Sequence, residues 1–239
     1  MWDPNLADGH ENAVYNNPDT LYFTLKQSCQ EDWHHYSHHP FVQGIADGTL
    51  PLASFQHYLQ QDYLFLIHFS RAYALAVYKA DNIEDMRSAV SSANVMLNSE
   101  MNLHLEYCAK WGLTEQDILK KPEARANMAY TRYVLERGMA GDVLDLYTAL
   151  CPCAVGYGEI GQRLFHDPET KTEGNPYYEW IQSYGSEDYM DCVVSHIHTL
   201  DKLMKARGGE QRVRSLSRIF QEATRLEIGF WEMGMSCDF

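Results

Sequence analysis

Apolar residues in this chain recur mainly with the spacing of α-helices. Leu59, Tyr63, Leu66, Ala74 and Val77 are separated by multiples of three and four residues. This spacing places their side chains on one face of a long helix. Strand-like alternation of apolar and polar residues is scarce throughout, so the pattern predicts an all-α protein.

Residues that begin and end helices divide the chain into segments. Gly48 and Pro51 mark the end of one helix and the start of the next, because glycine often ends helices and proline fits their first turn. Thr114 and Asp117 have the spacing of a capping box, and Ser186 precedes two acidic residues as an N-cap would. These signals predict roughly seven or eight helices of ordinary length.

The domain organisation follows from composition along the chain. Residues 1–20 are polar and contain prolines and asparagines, which is typical of a loosely held N-terminal extension. Residues 21–239 contain no repeat, low-complexity segment or linker. We therefore expect one helical domain over residues 21–239.

The net charge restricts the classes of partner. The chain has 19 Lys and Arg against 33 Asp and Glu, a formal charge of −14, so phosphate backbones would be repelled and nucleic-acid binding is not expected. The apolar stretch from Leu64 to Val77 is interrupted by His68 and Arg71, which argues against a membrane span. Because the N-terminal residues do not have the pattern of a signal peptide, we expect a cytoplasmic location.

One segment with two thiols is a candidate for nucleophilic chemistry. The six cysteines are irregularly spaced and are interpreted as reduced thiols. Cys151 and Cys153 flank Pro152, and Tyr157 follows Cys153 by four residues, which places its phenol on the same helical face as the thiol. The alternative is a buried, inert cysteine, the usual state of this residue in reducing compartments.

Two carboxylates lie in apolar surroundings. Asp62 is preceded and followed by aromatic and aliphatic residues, and Glu232 lies between Trp231 and Met233. Asp62 either faces solvent or accepts an N–H group from a ligand. Glu232 is either exposed or buried, and burial would raise its pKa and suit it to general acid catalysis.

The histidines raise the question of a metal site. The cluster between His34 and His39 is preceded by Glu31 with the Glu-x-x-His spacing of di-iron bundles, which needs a second copy. No second copy is present; Glu100 and His104, four residues apart, are interpreted as a helix-surface pair. We therefore expect a solvated helix start at this cluster and no metal site.

Six segments extend over nearly the whole chain from about residue 30. They are HPFVQGIADGTLP (39–51), FQHYLQQDYLFL (55–66), AYTRYV (129–134), CPCAVGYGEIG (151–161), NPYYEWIQSYGSEDY (175–189) and FWEMG (230–234). Their most specific features are the Gln-Asp pair, the Pro-Cys pair with Gly-Tyr after it and the terminal Phe-Trp-Glu. In order and spacing, these segments resemble the TenA (thiaminase II) family.

The resemblance implies a haem-oxygenase-like helical bundle that binds no haem and assembles as a homotetramer. It further implies an aminopyrimidine aminohydrolase of thiamin salvage, which converts the aminomethylpyrimidine fragment of thiamin, or thiamin itself, to hydroxymethylpyrimidine. No metal or organic cofactor is implied.

The resemblance also implies roles for particular residues. Cys153 is the nucleophile, Glu232 the catalytic glutamate and Asp62 the pyrimidine-binding aspartate. Phe65 stands where many relatives have a tyrosine, and Cys151 stands where alanine is usual. The pocket tyrosines correspond to Tyr130, Tyr157 and Tyr184.

Two alternatives remain open on the sequence. An oxidase of the same fold, similar to pyrroloquinoline quinone synthase or to the di-iron members of the superfamily, would share the helices but use different residues. A non-catalytic pyrimidine-binding regulator would keep the pocket without turnover. Metal analysis and a DNA-retardation assay would separate these alternatives from the hydrolase.

Overall fold

The computed structural model describes residues 14–239, a range that contains helices joined by turns and loops and no strand. The α-carbon contacts divide the chain into two compact units, one containing residues up to Leu50 and Tyr147–Ile228, the other Pro51–Leu146 and Gly229–Phe239. The helices outnumber the predicted seven or eight, because several are short. No helix among the described residues is both long and apolar enough to cross a membrane.

The first unit is built from short helices near the N-terminus and longer ones later in the chain. They are α1 (Leu21–Gln27), α2 (Gln30–Ser37), α3 (Pro40–Asp47), most of α9 (Val143–His166), α10 (Tyr178–Tyr184), α11 (Glu187–Arg207) and the first part of α12 (Glu210–Ser236). α1 contacts α11, and α10 packs against α3 and α11. Two helices, α9 and α12, contribute residues to both units.

The second unit is organised around its longest helix, α4 (Leu52–Lys79). The other helices of this unit are α5 (Ile83–Val95), α6 (Met101–Lys110), α7 (Glu115–Leu119) and α8 (Arg125–Ala140). All four pack against α4. A π-helical turn, Met96–Glu100, joins α5 directly to α6, and the end of α12 completes the unit.

The predicted helix boundaries are confirmed. Gly48 ends α3 with a φ of 73°, a left-handed conformation that glycine adopts without strain. Thr114 and Asp117 form a reciprocal capping box at α7, and the Ser186 side chain accepts a hydrogen bond from Tyr189 N at the start of α11.

Most of the predicted extension, residues 1–13, lies outside the described residues. Within its remainder, Tyr15 is buried, and its hydroxyl lies 3.0 Å from Sδ of Met190. The single domain over residues 21–239 stays a prediction.

Candidate functional site

Asp62 lies in the middle of α4 and is only 5% exposed. The Tyr58 hydroxyl donates to its Oδ2 at 3.2 Å, and Nε2 of His104 lies 2.7 Å from the same oxygen. Nδ1 of His104 lies 2.7 Å from the backbone carbonyl oxygen of Glu100. Because His104 and Glu100 are both buried, their interpretation as a helix-surface pair is wrong.

The surroundings of His104 determine its protonation. Burial disfavours the imidazolium form, but the hydrogen bond and charge of Asp62, with the charge and carbonyl of Glu100, outweigh burial and raise the pKa of His104 above its ordinary value. Asp62 and His104 thus form a buried hydrogen-bonded pair that joins α4 to α6.

Gln61, the neighbour of Asp62, ties α4 to the start of α8. Its Nε2 donates to Pro122 O at 2.9 Å, and its Oε1 accepts from Ala124 N at 2.8 Å and from Asn127 Nδ2 at 3.1 Å. The buried side chain of Gln61 therefore satisfies the backbone groups of Pro122 and Ala124, just before the start of α8. The contacts hold the helix that carries Tyr130.

An aromatic group lies on the same helix as Asp62. The ring centroid of Phe65 is 5.0 Å from those of Phe69 and Tyr130 and 5.4 Å from that of Phe230. All four side chains are buried. Such an arrangement provides flat apolar surface of the kind that stacks on a heteroaromatic ring. The second unit therefore brings together three predicted site residues, Asp62, Phe65 and Tyr130.

The two thiols of the Cys-Pro-Cys segment differ in accessibility. Cys151 is fully buried, and burial with the nearby charge of Asp201 raises its thiol pKa well above the ordinary value. Cys153 is only partly buried. Because the thiolate is the reactive form, Cys151 is inert and Cys153 is the one of the pair suited to nucleophilic attack.

The tyrosines predicted near Cys153 form a cluster in the first unit. The ring centroid of Tyr157 lies 5.0 Å from that of Tyr184 and 5.9 Å from that of Trp180. Gly161, one turn beyond Tyr157, allows α9 to approach the Tyr184 backbone. A Cβ at position 161 would lie 2.4 Å from the carbonyl carbon of Tyr184. The close approach of α9 and α10 therefore depends on the absence of a Cβ atom at Gly161.

Glu232, the predicted catalytic glutamate, is exposed. It lines an open cavity of about 500 Å³ in the second unit, together with Arg125, Met233 and Phe239. The burial on which its predicted acid chemistry depends is therefore not present in this structure.

Glu227, which the sequence analysis missed, is the buried carboxylate of α12, with 1% exposure. It lies on the apolar stripe that includes Leu216, Phe220 and Ala223, all buried. The spacing of three and four residues along α12 indicates that Glu227 is an acidic residue at a buried position. Glu232 does not follow this spacing and lies outside the apolar stripe.

The predicted exposure of the histidine cluster is confirmed for His34, His35 and His38. The predicted helix start is wrong for these three, because His34 and His35 lie in the last turn of α2 and His38 is its C-cap. His39 differs, because it is buried and its Nδ1 accepts a hydrogen bond from Phe41 N at 3.2 Å as the N-cap of α3. Burial, with the neighbouring His35, lowers the pKa of His39 to about 4. No group of three or more metal-ligating side chains with the geometry to hold a metal ion lies within residues 14–239.

Comparison with known proteins gives a consistent assignment. The TENA/THI-4/PQQC family matches residues 26–237. An aminopyrimidine aminohydrolase of Halalkalibacterium halodurans is 35% identical over 211 residues, covering 88% of this chain and 93% of the relative. The crystal structure of a TenA family transcription regulator from Silicibacter sp. has a TM-score of 0.86 at 42% identity, covering 90% of this chain and 96% of the other.

A more distant structure identifies the fold. A domain from Shewanella denitrificans with a haem-oxygenase-like fold has a TM-score of 0.62 at 16% identity, covering 89% of this chain and 90% of that domain. The predicted all-α, haem-oxygenase-like fold is thus confirmed. With a family match that extends over most of its length, the chain belongs to the TENA/THI-4/PQQC family.

Proposed function

We propose that this protein is an aminopyrimidine aminohydrolase of thiamin salvage, a hydrolase that acts on C–N bonds. The aminohydrolase from Halalkalibacterium halodurans supports this function. The observation that carries the proposal is the difference in solvent accessibility between the two thiols, since Cys153 is only partly buried and Cys151 is fully buried.

In the proposed mechanism, the Cys153 thiolate adds to a ring carbon of the aminopyrimidine. The added electron pair is taken up by the ring, whose nitrogens are hydrogen-bonded or protonated by carboxyl groups, and then expels ammonia from the exocyclic methylene. Water adds to that methylene, and departure of the thiolate restores the aromatic ring. The sum is aminomethylpyrimidine plus water giving hydroxymethylpyrimidine plus ammonia; with thiamin, the thiazole leaves instead.

The binding residues have distinct roles. Asp62 accepts a hydrogen bond from an N–H group of the pyrimidine. The aromatic rings of Phe65 and Tyr130 stack on the pyrimidine ring. Tyr157 and Tyr184 complete the set as hydrogen-bonding phenols. Water exclusion by aromatic side chains strengthens the polar contacts made to the ring.

The nucleophile is tested with a matched pair of variants. The purified protein is incubated with aminomethylpyrimidine and, separately, with thiamin, and hydroxymethylpyrimidine is followed by chromatography. Cys153→Ser is expected to lose turnover while still binding the ring, whereas Cys151→Ser is expected to retain activity. Undiminished turnover by Cys153→Ser would refute the assignment, and the ratio of the two wild-type rates identifies the preferred substrate.

The acid is tested in the same assay. Glu227 and Glu232 lie on one helix, and the buried Glu227 is the better candidate because desolvation favours a carboxyl that holds a proton. We expect Glu227→Gln to lower kcat by about 100-fold or more, as loss of a general acid does, and Glu232→Gln to have a small effect. The reverse ranking would return the role to Glu232.

The proposed assembly follows from the family resemblance, and the proposed location and choice of partner follow from the N-terminal pattern and the net charge. We expect a homotetramer in the cytoplasm, with a small-molecule substrate and no nucleic-acid partner. Light scattering on the purified protein measures the assembly, and a monomer at working concentration would contradict it.

A further inference from the structure

The buried partner of Asp62 has no counterpart among the residues implied by the resemblance. We propose that His104 is a positioning residue, an imidazolium that keeps Asp62 an ionised acceptor and fixes which of its oxygens meets the substrate. This proposal rests on the proposed function for the role of Asp62, but its first test does not.

The two ring nitrogens of His104 restrict its protonation state. A backbone carbonyl only accepts hydrogen bonds, so Nδ1, 2.7 Å from Glu100 O, carries a proton. A second proton lies in the 2.7 Å contact between Nε2 and Oδ2 of Asp62, either on the nitrogen or on the oxygen. The pair is therefore imidazolium with carboxylate, or imidazole with carboxylic acid.

The neighbouring groups favour the ionic form. The Tyr58 hydroxyl donates to the same Oδ2 of Asp62 at 3.2 Å, which stabilises the carboxylate. The negative charges that act on His104 come from Asp62 on α4 and Glu100 on the π-helical turn, and both favour the imidazolium. Their combined effect exceeds the opposing effect of burial.

The contacts also orient Asp62. Both of its hydrogen bonds within the described part of the chain end at Oδ2. Oδ1 accepts none there and is the oxygen available to a ligand N–H group. The hydrogen bond from His104 Nδ1 to Glu100 O fixes the imidazole ring. Because the ring is fixed, rotation of the Asp62 carboxyl would break the charge-assisted hydrogen bond between His104 and Asp62.

A second buried histidine provides an internal reference. Nε2 of His196 lies 3.1 Å from Tyr147 O, and this ring has no carboxylate contact in its described surroundings. Burial lowers the pKa of His196 to about 4. The two histidines are similarly enclosed, so the difference in their expected protonation comes from the acidic neighbours of His104, Asp62 and Glu100.

The first experiment is heteronuclear NMR of the free protein labelled with ¹⁵N at histidine, between about pH 6 and pH 8, the range in which ordinary histidines titrate. We expect two protonated ring nitrogens at His104 at neutral pH and one at His196. In Asp62→Asn, His104 should become neutral while the His196 signals stay unchanged. A neutral His104 in the wild-type protein would overturn the proposal.

The second experiment separates positioning from a merely structural role. His104→Gln keeps a neutral donor in place of the charged one, and His196→Gln is the matched control. We expect His104→Gln to raise KM for aminomethylpyrimidine by about 5- to 10-fold, the effect of exchanging a charge-assisted hydrogen bond for a neutral one, with a smaller change in kcat. The increase should be absent when Asp62 is already Asn.

The possible outcomes are distinguishable. An equal effect of His104→Gln in the presence and absence of Asp62 would overturn the positioning role. If the wild-type protein turned over no aminopyrimidine, the proposed function would fail, and the NMR result would still decide whether His104 is the charged partner of Asp62.

Discussion

Gly161→Ala tests the packing of α9 against α10 in the first unit. The added Cβ would lie 2.4 Å from the carbonyl carbon of Tyr184 and 2.6 Å from both its Cβ and its carbonyl oxygen. Two of these atoms belong to the backbone, so no change of rotamer relieves the contact, and the helices must move apart.

The expected magnitude combines two opposing effects. Overpacking of this kind costs about 1–3 kcal/mol, and contacts with backbone atoms place it at the upper end. Replacing a helical glycine with alanine returns about 1 kcal/mol. The free energy of unfolding should therefore fall by about 2 kcal/mol, which corresponds to a decrease in Tm of about 4–8 °C for a chain of this size.

Gly229→Ala is the control, because Gly229 also lies within a helix, α12, and a Cβ there would meet no atom within 4 Å. It should gain the helix-propensity effect alone and raise Tm by about 2–4 °C. Thermal unfolding followed by circular dichroism measures both variants. If Gly161→Ala were as stable as Gly229→Ala, the argument from close approach would be refuted.

Two further perturbations test the buried polar groups. The pKa of both His39 and His196 is lowered to about 4, so the unfolded chain takes up protons first as the pH falls. The contribution of each neutral histidine to the free energy of unfolding is fully present above about pH 6.5 and is lost as the pH falls towards about 4, by at most about 3 kcal/mol each. Urea unfolding across this pH range measures the change, and a free energy of unfolding that does not vary with pH would contradict it. Gln61→Leu removes the partners of Pro122 O and Ala124 N and should lower the free energy of unfolding by about 2–4 kcal/mol; a loss below 1 kcal/mol in the same assay would show that water replaces the amide.

The helical architecture is largely predictable because its signals are local. The spacing of apolar residues along α4 and the caps at Thr114 and Ser186 depend on residues within one or two turns of one another. Helices such as α1, α3 and α7, of seven, eight and five residues, are shorter than the stretch of about eleven residues over which a repeating apolar pattern is recognised. The number of helices was therefore underestimated.

The candidate site is less predictable because its contacts are distant in sequence. Asp62 and His104 are separated by 42 positions, and nothing near Asp62 in the sequence indicates its partner. Periodicity does contain some of this information, since His104 falls between Met101 and Cys108, both buried. The same count along α12 selects Glu227. Whether these residues act in catalysis stays a prediction.

The π-helical turn Met96–Glu100 has a consequence for how the chain tolerates changes in length. A π-helical turn contains more residues than an α-helical turn, and each residue rotates the direction of an α-helix by about 100°. The turn thereby sets the angular phase of α6 and directs His104 towards Asp62. A deletion of one residue here would direct a different side chain towards the Asp62 carboxylate. The non-helical connection at residues 80–82 does not fix the rotation of one helix relative to the next in this way. Length variation among relatives should therefore be found at that connection and be absent between α5 and α6.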